Sequence, residues 1–161
     1  MTAIALKIFL ALLAVLALVF IAGVTGLLFV VWPTGLGDNS LNITPVSLAS
    51  LRELRNEQKF VEDMPNHYPG TPNEAIRVIA QLAVDGLLDD LTAELLRNQR
   101  RSFVLAKMKA ALTTFQPTDS EEREQLLRYF ERILRATGID NSGELFNVWR
   151  YGFPYGWIQR A

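Results

Sequence analysis

The sequence predicts an all-α protein: a single N-terminal transmembrane helix followed by a small irregular bundle of four to five helices. Three observations lead there. An unbroken apolar run extends from Ile8 to Trp32. Beyond it, apolar residues recur at helical spacing behind Thr, Pro and Glu in helix-starting order. No segment shows sustained period-two alternation, and no internal repeat or low-complexity tract is present.

The first 32 residues carry one ionisable side chain, Lys7, and Thr25 is the one hydroxyl inside the apolar run. At about 1.5 Å per residue the run is long enough to cross a hydrocarbon core of about 30 Å. A cleaved signal peptide is the rival reading, but its apolar part is shorter and closes on a small-x-small site. Here Leu27, Leu28, Phe29, Val30 and Val31 continue the run to Trp32 and Pro33, which favours retention. Lys7 precedes the run, whereas the segment after Trp32 holds Asp38 and no Lys or Arg before Arg52. That asymmetry places the N-terminus in the cytoplasm and the remaining chain on the opposite, periplasmic or lumenal, side. Trp32 suits the headgroup layer, and Pro33 ends the helix. Without an ionisable residue in its central turns, the anchor offers no proton path, ion site or ligand for haem or chlorophyll. Ala22 and Gly26, four apart, form a small-xxx-small pair that lets another helix approach closely.

The chain divides into an anchor (1–32), a Gly/Pro-bearing linker (33–44), a helical domain (45–150) and an aromatic C-terminal tail (151–161). Thr44-Pro45 starts the first helix of the domain, with Leu48, Leu51 and Leu54 as a stripe leading to Phe60 and Val61. Pro65 and Pro69 break the chain. Thr71-Pro72-Asn73-Glu74 then reads as a capping box with Pro at the first helical position, before a face of Ile76, Ile79, Ala80 and Ala83. Asp85-Gly86 is expected to end that helix. The next helix restarts before Leu91 and runs through Leu112, with Asp89, Asp90 and Glu94 ahead of Arg97, Arg100, Arg101, Lys107 and Lys109, as a helix dipole prefers. Pro117 closes it. Thr118 to Glu121 is a second capping box, and Leu126, Leu127, Phe130, Ile133, Leu134 and Thr137 trace a face to a stop at Gly138. A short last helix is expected from Ser142 to Arg150, with Leu145, Phe146 and Trp149 on one side.

Sixteen Lys and Arg against seventeen Asp and Glu leave the chain nearly neutral, which argues against nucleic acid as a partner. The absence of cysteine excludes disulfides, thiolate zinc sites, cysteine-ligated iron–sulfur clusters and cysteine nucleophiles. No H-E-x-x-H, G-x-S-x-G, P-loop or dinucleotide glycine pattern occurs, and no cofactor or small-molecule substrate is indicated. His67, the one histidine, lies between Pro65 and Pro69 and reads as a loop residue with no announced nucleophile. The acid pairs Glu62/Asp63, Asp89/Asp90 and Glu121/Glu122 lack the Glu-x-x-His partners of a di-metal bundle. Asp140 to Glu144 departs from the calcium-loop frame and reads as an Asx-turn capping the last helix. Asn42-Ile43-Thr44 fits a glycosylation sequon, relevant in a eukaryotic secretory lumen.

Two stretches carry the chemistry of interaction surfaces. Arg97 to Ser102 is polar throughout; Arg97, Arg100 and Arg101 either pair with acids of another subunit or form a solvated face or turn. The tail gathers Tyr151, Phe153, Tyr155 and Trp157 behind Trp149, with Gly152, Pro154 and Gly156 forbidding a continuing helix. Such rings either dock on a partner or fold back to complete the domain's own core. The expected function is a non-catalytic, single-pass accessory subunit of a larger membrane-protein complex, bioenergetic complexes being common hosts. Its partners are other membrane subunits and the bilayer. A stand-alone membrane-anchored binding or adaptor module is the alternative, and an enzyme of unspecified class is third.

Overall fold

The computed structural model describes residues 3–115 and 120–152. The chain forms two compact units, one ending at Pro33 and one beginning at Thr34. In the first, α1 runs from Ala3 to Val31, and its stretch Ile4–Leu28 is long and apolar enough to cross a membrane. Every side chain described along that stretch is exposed, so the helix buries no apolar face within its own unit. Ala22 and Gly26 lie one turn apart on it.

The second unit contains α2 (Pro45–Asn56), a 3-10 turn (Met64–Asn66), α3 (Glu74–Glu94), α4 (Arg101–Thr114), α5 (Ser120–Thr137) and α6 (Leu145–Tyr151). Two isolated bridges and no strand occur among the described residues, so the chain is all-α with a helical bundle. Thr44 starts α2 with a reciprocal cap: its hydroxyl accepts from the Ser47 amide at 3.1 Å, and the Ser47 hydroxyl accepts from the Thr44 amide. Leu48, Leu51 and Leu54 are buried beneath it. The central element is α3, which packs against α2, α4 and α5 through Val84, Leu87, Leu88 and Leu91. Leu126, Leu127, Phe130, Ile133, Leu134 and Thr137 of α5 are all buried. Gly138 at φ +72° closes α5: its amide reaches Arg135 O, the Ile139 amide reaches Leu134 O, and both Leu134 and Ile139 are buried.

Four local expectations are corrected. The cap of α3 is Asn73, whose Oδ1 accepts from the Ala75 and Ile76 amides, and not Thr71. Thr71 is otherwise engaged, its hydroxyl with Tyr68 Oη at 2.8 Å and its amide with Phe60 O. Asp85-Gly86 does not end the helix, because the buried row continues through both sides of it and outweighs the glycine's poor propensity. The chain turns instead at 95–100, so Asp89, Asp90 and Glu94 close α3 while Arg101 opens α4. This places acids at the unfavourable end of the dipole, where ion pairs offset them: Lys107 binds Asp90 and Glu94, and Arg55 binds Asp89. Finally, α6 begins at Leu145; Asn141 Oδ1 does accept from the Gly143 amide in an Asx-turn, but no side chain caps the helix. The start of α5 is described from Ser120, so Thr118 and Asp119 of the second capping box lie outside the described residues.

The inward face of α3 is also rotated from the expected one. Ala80 is buried and Ala83 partly so, but Ile79 is 69 % exposed. An outward row of Ala75, Val78, Ile79, Leu82 and Gly86 results. A Cβ added at Gly86 would meet nothing within 4 Å. Gly86→Ala is therefore expected to stabilise the folded chain by about 1 kcal/mol through helix propensity alone, read as a rise of a few degrees in thermal unfolding by circular dichroism.

Candidate functional site

Where α2 ends, Glu57 turns the chain into extended backbone and the next residues pass under the bundle. Lys59 is fully buried there. Its ammonium meets Asp85 Oδ1 of α3 at 2.7 Å as an ion pair, and donates to the carbonyls of Glu57 at 3.0 Å and Arg55 at 3.2 Å. Asp85 Oδ2 accepts from Arg55 Nη1 at 3.1 Å and from Gln81 Nε2 at 3.2 Å. Gln81 Oε1 in turn accepts from the Lys59 amide and from Arg77 Nη1. Two charges taken out of water are tolerated only when paired and hydrogen-bonded in this way.

Phe60 follows at φ +58°, in the left-handed region that a β-carbon disfavours. It is held from three directions. Its amide donates to Tyr129 Oη at 3.0 Å, its carbonyl accepts from the Thr71 amide, and its ring lies 5.2 Å from that of Tyr129 and 5.9 Å from that of Phe115. Gly70, at φ +87°, completes the return: a Cβ there would stand 2.9 Å from the Glu62 amide.

Between the 57–66 segment and α5 lies a groove of about 600 Å³, lined among others by Glu57, Asp63, Asn66, Arg128, Arg132 and Arg135. Arg132 grips both oxygens of Glu57, and the bond to that carboxylate holds its guanidinium above the ordinary value. Arg128 donates to Asn66 O at 2.8 Å. At one end Tyr68 is buried; burial pushes its phenol up, Thr71 opposes, and the carboxylates of Glu122 and Glu121 add to the rise. His67 is exposed at φ +55° in the turn beyond. Among the described residues no group of three or more His, Asp or Glu could hold a metal ion. A groove lined by charges of both signs can recognise a polar surface, but it presents no nucleophile with a base.

The residues singled out from the sequence are distributed differently. Arg97 is exposed. Arg100 pairs with Asp38, whose other oxygen accepts from the Ser102 amide at 2.8 Å. Arg101 donates to the carbonyls of Leu36 and Asn141. Backbone bonds from Leu41 to Gln99 and from Arg101 to Asn39 complete a clamp of the 36–41 segment onto the α3–α4 turn. Tyr151 is half-exposed at the end of α6 beside Arg150, whereas Phe153, Tyr155 and Trp157 lie outside the described residues. Trp149 is used inside the unit, donating to Leu112 O under the Arg123 guanidinium. Sequence reading missed Lys59 and Asp85. The available signal was an acid on the same helical face as Val84, Leu88 and Leu91, a position that demands a buried cation.

Residues 42–154 match the family described as Domain of unknown function (DUF4844). The chain belongs to that family. The matched span covers the bundle and leaves α1 outside it. The fold is similar to that in the crystal structure of a DUF3571 family protein from Acinetobacter baumannii AYE, with a TM-score of 0.59 and 21 % identity over 71 % of this chain and 95 % of that one. No curated protein matches the chain.

Two outcomes follow from these contacts. Asp85→Asn leaves the Lys59 ammonium buried without its counter-charge and is expected to cost about 3–5 kcal/mol in thermal or urea unfolding in mild detergent. Lys59→Met is expected to cost less, because Arg55 remains on Asp85. For Asp38, burial acts upward, but the Ser102 amide and Arg100 outweigh it and hold the carboxyl below its ordinary 3.8. A carboxyl depressed on folding stabilises the fold above its unfolded value and loses that contribution as pH falls through the folded one. Protection of the Ser102 amide, its exchange rate relative to the intrinsic rate at the same pH, is therefore expected to fall on acidification below pH about 4, and to be low at every pH in Asp38→Asn.

Proposed function

We propose that the protein is a non-catalytic, single-pass accessory component of a membrane-protein assembly, tethered by α1 and docking through its helical unit. The observation that carries this is the division of apolar surface. Between Ile4 and Leu28 the side chains of α1, Lys7 and Thr25 apart, are apolar and exposed. The helical unit closes its own core and still leaves Val78, Ile79 and Leu82 facing out. Apolar surface in excess of what a fold needs marks an interaction site. The charge asymmetry around α1 supports an N-terminus in the cytoplasm and the helical unit on the opposite side. Ala22 and Gly26 would let a neighbouring helix approach in the bilayer. The aromatic tail, with Tyr151, Phe153, Tyr155 and Trp157, would act as a docking strap, and exposed Arg97 as a contact for acidic groups.

A second reading, a stand-alone membrane-anchored adaptor, is favoured by one observation: the buried core from Leu41 to Leu145 lies wholly within the second unit. Extraction in mild detergent, native size separation and mass spectrometry of comigrating chains distinguish the two. Comigration with a large complex that survives high salt is expected. Migration as a small species with detergent would refute the subunit reading and leave the adaptor. Tyr155→Ala with Trp157→Ala is expected to release the chain from its complex; retention with a loss of thermal stability would place those rings in the core instead.

A further inference from the structure

The groove between the 57–66 segment and α5 has two walls, and each keeps charges that the chain does not neutralise. On α5, Arg128, Arg132 and Arg135 follow at steps of four and three residues and share one face. Arg132 is spent on Glu57. Arg128 is held by neutral acceptors, Asn66 O at 2.8 Å and Gln125 Oε1 at 3.3 Å. On the opposite wall Asp63 Oδ2 accepts from the side-chain amide of Asn66, again a neutral partner. Among the described residues Arg128, Arg135, Glu62 and Asp63 all line this groove without an ion pair. Bases and acids thus stand on facing walls and do not reach each other.

A buried donor adds to them. Tyr129 lines the same groove, and its hydroxyl accepts from the Phe60 amide and from Gln125 Nε2. The phenolic proton itself has no acceptor among the described residues. The frame around these groups is fixed before any ligand arrives. Phe60 and His67 hold left-handed backbone, Asp63 and Tyr68 exchange backbone bonds of 2.8 and 3.0 Å, and buried Gln125 ties Tyr129 to Arg128. A site ordered in advance loses less on binding. Its volume of about 600 Å³ lies within the range of ligand sites.

We propose that the groove binds a dipolar ligand, with a carboxylate and an ammonium on one short molecule or chain segment. The carboxylate takes the planar fork of Arg128 or Arg135, with the Tyr129 hydroxyl as a further donor, and the ammonium lies against Glu62 and Asp63. A ligand of one sign fits worse. An anion that meets the arginines also meets two carboxylates, and a cation meets the reverse. Nucleic acid is disfavoured for the same reason. A small amino acid and a polypeptide stretch with neighbouring acidic and basic side chains both carry this chemistry. The site does not depend on which larger assembly the chain joins.

Full-length protein in a nonionic detergent is titrated calorimetrically at low ionic strength with two probes, ε-aminocaproate and the blocked peptide acetyl-Glu-Lys-Glu-Lys-amide. A saturable heat with a Kd of about 1 mM or tighter is expected from at least one of them. The tighter probe names the source, a small free zwitterion or a polypeptide stretch. Blocked tetraglutamate and tetralysine are expected to bind about tenfold more weakly or worse. Glu62→Gln and Arg135→Gln, both at exposed positions, remove one charge from each wall. Each is expected to weaken the bound probe about tenfold with the thermal melt unchanged. Arg52→Gln, exposed on α2 and outside the lining, is expected to leave binding as it was. Absence of a saturable heat from both probes would overturn the proposal. So would a single-sign peptide that binds as tightly as the better probe, or an affinity indifferent to Glu62→Gln and Arg135→Gln.

Discussion

The rest of the helical unit depends on the ion pair between Lys59 and Asp85. It joins the segment leaving α2 to the middle of α3, the helix that touches α2, α4 and α5. Two unpaired charges in that position would each cost several kcal/mol, so the segment cannot drift without exposing one of them. The pair is surrounded by donors and acceptors from Arg55, Gln81 and Arg77, which leaves few alternative arrangements of the same groups. With Lys59 fixed, Phe60 is forced into a left-handed backbone, and its ring is delivered between Phe115 and Tyr129. Backbone strain of that kind costs on the order of 1–3 kcal/mol and persists only where surrounding contacts over-determine it. Here the Tyr129 hydroxyl, the Thr71 amide and two rings supply them.

A second set of polar contacts ties the segment after α1 to the bundle. Asp38 with Arg100 and Ser102, and Arg101 with two carbonyls, make the polar stretch at 97–102, exposed over 97–100, one half of a clamp. Only Arg97 of the three arginines keeps its charge facing outward without a role in that clamp. Buried Leu41 and Ile43 continue the attachment, so the second half of the linker belongs to the folded unit.

The functional consequence lies in how α3 spends its two faces. The inner face holds the core together, and the outer one carries bulky apolar residues next to a glycine that the fold does not use. On α3 the apolar residues thus extend past the core face, with Val78, Ile79 and Leu82 exposed to solvent. The groove along α5 offers the opposite character: acids and arginines line it together, with Glu57 and Arg132 paired, so it presents a patterned polar surface.

The sequence by itself determined the apolar helix, the all-α class and the faces of α2 and α5. These follow from local rules: a charge-free run, a Thr-Pro start, a 3.6-residue period and a glycine stop act over one or two turns and survive into the fold. It also placed His67 in a turn and the Asx-turn at Asn141. Where helices meet, tertiary structure decided. Asp85-Gly86 has the composition of a helix end, yet the buried row around it and the cation beneath it carry α3 onward. Thr71 has the composition of a cap, yet Tyr68 takes its hydroxyl and Asn73 replaces it. Arg97 to Ser102 has the composition of a free basic surface, yet Asp38, more than sixty residues away in sequence, consumes Arg100. In each case a contact outside the local helix signal decided: a buried apolar row and its cation for α3, a neighbouring tyrosine for Thr71, and a carboxylate distant in sequence for Arg100.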